Sequence, residues 1–175
     1  MRWLPFQLNP DLPETGISRA DYIMRKFGER DSSRYKRVAL VGKSVGLEMM
    51  FDNIKVQPNT VNAHRLIHHA GELGMQDAVA EALFRAYFIE GANLTDRAVL
   101  AEYAAQAGLD REATAAYLDS DVDADLIRSA DQEARQVGIE GVPFFIINRT
   151  IGISGAQDPE VLLQAMEQAR AGNTP

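Results

Sequence analysis

Along most of the chain apolar residues recur every three or four positions, and two short runs break that rhythm by being almost continuously apolar. The first is Gly141-Val142-Pro143-Phe144-Phe145-Ile146-Ile147-Asn148; the second, after Arg149-Thr150, is Ile151-Gly152-Ile153-Ser154-Gly155. Two Ile- and Phe-rich runs split by a polar turn predict a β-hairpin buried on both faces. Proline cannot donate to a strand ladder, so Pro143 belongs at the first strand residue, and an X-Pro bond there is open to the cis form.

The other elements follow from the periodicity and its punctuation. Residues 2 to 8 read as a short strand, closed by Asn9-Pro10-Asp11 and a loop through Gly16. Ser18 with Asp21 starts a helix with Tyr22, Ile23 and Phe27 inward and Gly28 as its C-terminal cap. Ser32 or Ser33 caps the next, with Tyr35, Val38, Ala39 and Val41 inward, fading at Gly42 to Gly46. Asn59 is the expected N-cap of a helix to Leu73 with Leu66 and Ile67 buried, and another runs from Gln76 to Glu90 with Val79, Leu83, Ala86 and Tyr87 inward. Thr95 and Asp110 are expected to cap two short helices. Ser120 with Asp123 opens a longer one through Leu126, Ile127, Ala130, Ala134 and Val137. Asp158 and Pro159 start a last helix with Val161, Leu162, Ala165 and Met166 inward. Strand, many helices, hairpin, helix is an α/β (α+β) order.

Composition narrows the chemistry. A chain of 175 residues, 46% hydrophobic, suits one core with an insertion. The net charge of −7 and pI near 5.0 argue against a nucleic-acid or membrane partner, because phosphate surfaces select clustered Lys and Arg. No run approaches the roughly 20 apolar residues of a spanning helix, and no secretory leader is recognisable, so a cytoplasmic location is expected. The chain has no cysteine, which removes disulfides and thiolate chemistry from these residues. Gly42-Lys43-Ser44 does not make a phosphate loop: Arg37 stands where that loop has its first glycine, and no strand precedes it. No cofactor is called for. His64, His68 and Glu72 stripe one helical face at zinc-ligand spacing, but a site needs further ligands, and packing histidines are the expectation.

The Gly-Val-Pro-Phe-Phe run, the following Gly152-Ile153-Ser154-Gly155-Ala156-Gln157 and the last helix resemble the C-terminal half of the DsbA-like thioredoxin superfamily, most closely its FrnE-type branch. Residues Arg2 to Pro10 resemble that branch's second strand, Pro58-Asn59-Thr60 with Ala63-His64-Arg65-Leu66 its helical insertion, and Leu83 to Phe88 the helix after it. The resemblance implies a thioredoxin-like sheet domain from residues 1–16 and 139–175, incomplete at its N-terminus, and a large helical insertion with connecting helix over 17–138. The first strand and the helix that carries the family's Cys-X-X-Cys are expected to be absent, on the order of 20 to 30 residues by typical element lengths. A dithiol there reacts because the helix dipole lowers a thiol pKa.

The same resemblance implies substrate-binding positions. Val142 and Pro143 form the cis-proline wall, whose backbone pairs with an extended peptide or glutathione by strand addition. Asn59, Asn62 and Arg65, at the insertion's end over the groove, are candidate substrate contacts, against the plainer reading of a cap and a solvated or salt-bridged arginine. His64 is implied to make an interdomain hydrogen bond. The function read from this is dithiol–disulfide exchange on a protein or small thiol substrate, with the present chain inert alone. Two alternatives stay open: a relative of the glutathione-dependent 2-hydroxychromene-2-carboxylate isomerases and kappa-class transferases, and a non-catalytic binding or assembly protein. An uncovered sheet edge also implies either that the chain derives from a longer protein or that a second copy fills the gap, as a homodimer by edge pairing or swapping.

Overall fold

A computed structural model describes residues 1–28 and 33–172, the side chains of Ser33 and Arg34 excepted. The expected cap at Ser32 lies outside the described residues. The chain divides into two compact units, Met1–Ser129 and Ala130–Pro175.

The first unit is helical. Its elements are β1 (Ile17–Ser18), α1 (Arg19–Phe27), α2 (Ser33–Ser44), a 3-10 turn (Phe51–Asn53), β2 (Val56–Gln57), α3 (Val61–Glu72), α4 (Gln76–Arg85) with a π-helical turn over Ala86–Glu90, α5 (Arg97–Gln106) and α6 (Arg111–Asp119). Helix α7 (Ala124–Gln136) begins in this unit and ends in the second. Helices α3 to α6 enclose the core: Leu66, Val79, Leu83, Leu100 and Leu118 are buried, and Ala70, Ala86, Ala101 and Ala104 sit where helices approach closely. Small residues at the crossings let the leucines of facing helices interdigitate, which is how apolar burial becomes tight packing. Strands β1 and β2 pair antiparallel, Ile17 opposite Gln57, a ladder too short for sequence periodicity to reveal. Gly16 is fixed by this pairing: at φ +69°, a Cβ would come within 2.5 Å of the Gln57 carbonyl oxygen.

Residues 2 to 8 do not form the expected strand. A strand needs a neighbour, and among the described residues this segment finds side chains instead. The Trp3 N–H donates to Gln76 Oε1 at 3.0 Å, and Gln76 Nε2 donates to the Trp3 carbonyl at 3.2 Å. The Trp3 indole donates to Asp77 at 2.6 Å and meets Phe84 edge-on at 5.8 Å. Helix α2 also departs from expectation. Val38 and Val41, read as inward, are exposed, as is Leu40 at 70%. The helix is held near its ends, by Tyr35 against Phe27 and Phe51 and by the Leu47 N–H on the Gly42 carbonyl.

Several caps are shifted. Thr60 is the N-cap residue of α3, while the Asn59 side chain accepts the Val61 N–H at 3.0 Å. Asp96, not Thr95, caps α5, because the Thr95 hydroxyl is drawn to Asn93. Ser120 closes α6 instead of opening α7, its hydroxyl donating to the Tyr117 carbonyl at 2.6 Å. Asp110 caps α6 as expected.

In the second unit, β3 (Phe144–Ile147) and β4 (Ile151–Ser154) form the expected antiparallel hairpin, and α8 (Pro159–Ala171) packs against β3. The hairpin is covered on one face, not both. Phe145, Ile147, Ile151 and Ile153 share the better-covered face; opposite them, Ile146 is 50% exposed, its cross-strand partner Gly152 is exposed, and so is Ser154, the partner of the half-buried Phe144. On α8 the buried positions are Ala165 and Ala169, while Val161 and Met166, expected inward, are exposed.

Leu66→Ala is expected to lower unfolding free energy by roughly 2–5 kcal/mol, since it opens a cavity among four helices. Leu40→Ala should change it by less than about 0.5 kcal/mol. Urea unfolding at 25 °C checks both.

Candidate functional site

Two groups of residues carry the site expectations, one in each unit. In the second unit, the Val142–Pro143 bond is cis. Pro143, lacking an N–H, enters the hairpin through its carbonyl alone, which accepts the Gly155 N–H at 2.8 Å and extends the ladder past Phe144↔Ser154. Val142 lies one residue beyond. It is 51% exposed, and among the described residues no hydrogen bond engages its amide or carbonyl. Residues 141–143 bend ahead of β3, and a backbone with both polar groups open one residue from a paired strand can accept main-chain hydrogen bonds from another segment.

In the first unit, Asn59, Asn62 and Arg65 stand together at the start of α3, all occupied by their own chain. Asn59 Nδ2 donates to the Leu12 carbonyl at 2.7 Å. Asn62 reaches Glu14 at 3.4 Å and accepts from Arg65 Nη1 at 2.8 Å. Arg65 is neither solvated nor paired with a carboxylate: it is 1% exposed. Its Nε donates to the Val122 carbonyl at 2.7 Å, and Nη2 to the carbonyls of Tyr117 at 3.0 Å and Ser120 at 2.7 Å. Nη1 adds a longer contact to the Leu118 carbonyl. These are the last carbonyls of α6 and the turn after it, at or beyond the end of the helical ladder; the Tyr117 carbonyl also accepts the Ser120 N–H at 3.2 Å. The guanidinium fork satisfies them together, with its charge at the negative end of the helix. No donor is left for a ligand.

The groups around Arg65 are correspondingly fixed. Its guanidinium carbon lies 5.0 Å from the centre of the Tyr117 ring, whose hydroxyl donates to Asp123 at 2.8 Å. His69 stacks on the same ring, at 4.3 Å between centroids. Burial and the Asp123 hydrogen bond push the Tyr117 phenol well above its ordinary range. Burial likewise pushes Tyr87 up to about 12, against the opposing pull of Arg19. The exposed Glu14 carboxyl is held below its ordinary value, mainly by its hydrogen bond from Arg97 at 2.6 Å.

The histidine stripe is dispersed. His64 Nε2 lies 3.1 Å from the Phe6 carbonyl, within the first unit. His69, not His68, approaches Glu72, at 3.6 Å. Among the described residues no three His, Asp or Glu side chains converge on a metal position. His68 and Glu72 instead line an open depression of about 710 Å³ with Arg2, Gln76 and Asp77. Gly42-Lys43-Ser44 is helical, with the Ser44 hydroxyl on the Val41 carbonyl.

Arg65→Met keeps the length of the side chain but strands the α6 carbonyls; a loss of about 3 kcal/mol or more is expected in urea unfolding. Arg65→Lys should recover part of it, as a point charge cannot reach every acceptor. Unchanged stability in Arg65→Met would mean that these carbonyls do not depend on the guanidinium. Tyr87 sets a pH dependence. Its folded pKa is raised, so its contribution is complete below the unfolded tyrosine value of about 10 and is lost as pH rises through about 12. Urea midpoints between pH 8 and 12 should fall in the wild type, and less steeply in Tyr87→Phe.

Comparison with known proteins places these features in a family. The model of the DSBA-like thioredoxin domain matches residues 1–167. The uncharacterized protein YwbO of Bacillus subtilis (strain 168) is 27% identical over 167 residues, covering 95% of this chain and 80% of that protein. The crystal structure of a probable DsbA oxidoreductase from Streptomyces coelicolor superimposes with a TM-score of 0.87 at 32% identity, over 97% of this chain and 75% of that one. No helix among the described residues is long and apolar enough to cross a membrane. With the hairpin, its leading proline and the helical insertion all in the order that this family has them, the chain belongs to the DSBA-like thioredoxin domains.

Proposed function

We propose that the chain presents the Val142–Pro143 edge to an extended protein segment, or to a small thiol such as glutathione, as the substrate-holding part of a dithiol–disulfide oxidoreductase of the FrnE type. The observation that carries this is the Val142 backbone, open at both polar groups and one residue from a paired strand. The likeness to a probable DsbA oxidoreductase supports the reaction class. In such exchange a thiolate attacks one sulfur of a disulfide, a mixed disulfide forms, and the other sulfur leaves as thiolate. These 175 residues contain no cysteine, so the attacking sulfur comes from outside them. Main-chain pairing at residue 142 aligns the substrate without demanding a particular side chain.

Binding without catalysis is the second reading, favoured by the exposed hairpin face around Ile146. Both readings share the Val142 edge and differ in whether any natural form of the protein turns over a disulfide.

The 175-residue polypeptide is expected to add nothing to the rate at which dithiothreitol reduces insulin; turnover above the reagent alone would overturn its inertness. Binding of a fluorescent extended peptide should be kept in Val142→Thr and fall by about tenfold in Val142→Pro, which removes one backbone donor. Equal binding by the two variants would exclude main-chain pairing at this edge.

A further inference from the structure

Arg19 is a second buried arginine, and its surroundings are the opposite of those of Arg65. It opens α1, its N–H donates to the Lys55 carbonyl at 2.9 Å, and it is 9% exposed. Its guanidinium lies over two aromatic rings, 4.6 Å from the centre of Tyr35 and 5.4 Å from that of Tyr22. One nitrogen, Nη1, donates to Gln57 Oε1. Among the described residues, Nε and Nη2 have no hydrogen-bond acceptor, and no carboxylate forms an ion pair with Arg19. A cation taken this far from water without a counter-charge is costly, and proteins ordinarily pair it.

Among the described residues, the groups in contact with its guanidinium are two rings and the Gln57 amide oxygen. Lys26 Nζ donates to the Tyr22 hydroxyl at 2.8 Å, which leaves the Tyr22 O–H proton for another acceptor. Gln57 Oε1 is taken by Arg19 and also lies 3.4 Å from the Tyr87 hydroxyl. Half of the chain's 18 Lys and Arg residues lie between Arg19 and Lys55, although the whole chain is acidic. Tyr35 is flanked by Phe27 at 6.1 Å and Phe51 at 5.1 Å, and all three rings are only partly buried.

We propose that Arg19, with Tyr22 and Tyr35, forms a binding site for an aromatic carboxylate, the carboxylate on the free guanidinium nitrogens and the ring against Tyr35, Phe27 and Phe51. The planar fork of arginine matches a carboxylate's two oxygens, and partly buried rings supply an apolar wall where a second flat ring stacks. The site is independent of the Val142 edge and of any thiol chemistry.

Calorimetric titration of the full chain with benzoate tests this, with benzamide and inorganic phosphate as controls. Saturable 1:1 binding of benzoate is expected, weaker by about tenfold or more for both controls and for Arg19→Gln. In the wild type, the Arg19 Nε–H resonance should move with benzoate, which keeps the test independent of how the variant folds. Absence of saturable benzoate binding, or saturation with that resonance unmoved, overturns the site. Phosphate binding as tightly as benzoate overturns its aromatic character.

Discussion

The carbonyl groups at the end of α6 and in the turn after it lie where the helical ladder runs out, and one buried arginine from α3 answers them together. Every other feature of that corner follows from how Arg65 does so. Its fork spans residues 117 to 122, so the turn after α6 takes the path that brings its carbonyls within reach. Asn62, one turn earlier on α3, accepts from the same guanidinium and reaches Glu14, which Arg97 holds in turn. Tyr117 lies across the arginine and returns its hydroxyl toward the α3 backbone and Asp123. A hydrogen-bonded corner of this kind is demanding: with every member satisfied it sets a single geometry, and with one missing several buried groups lose their partners together.

The family and the helical frame were legible because both rest on local signals. Glycines that stop helices, an aspartate before an apolar run and a proline leading a strand each act within a few residues. Burial was less legible, because periodicity says which residues share a face and not whether anything lies opposite. Val38 and Val41 keep helical spacing and still face solvent; Val161 and Met166 do the same on α8. Residues 2 to 8 have strand composition, but strand formation is a property of a pair, and here the Trp3 backbone is met by the amide of Gln76. Arg65 was read as a substrate contact or as a solvated or salt-bridged charge, both of them exposed roles, because most arginines are exposed. The signal that could have placed it inside was the company of Ala63 and Leu66 on the same short stretch of helix, with Asn62 three residues before it.

The two site groups differ in kind, which sequence motifs alone do not distinguish. Around residue 142 the chain leaves backbone groups open; around residue 65 it closes every one. A motif shared within a family marks both equally, since substrate contact and structural closure each restrict what a position can hold. Counting donors and acceptors separates them, and it divides the two buried arginines the same way: one is saturated by carbonyls and the other is left among rings.

The π-helical turn after α4 holds one residue more than an α-helix would use there. Gly91, at φ +73°, closes it with its N–H on the Ala86 carbonyl, and a Cβ at Gly91 would come within 2.6 Å of the Asn53 backbone. Each residue advances a helix by about 100°. Removing any one residue from this turn would restore regular winding but rotate the chain beyond it by more than a quarter turn, carrying residue 91 away from the backbone that only a glycine can approach. Length in this segment is therefore under tighter constraint than side-chain identity, and relatives that differ here should do so by substitution before they do so by deletion.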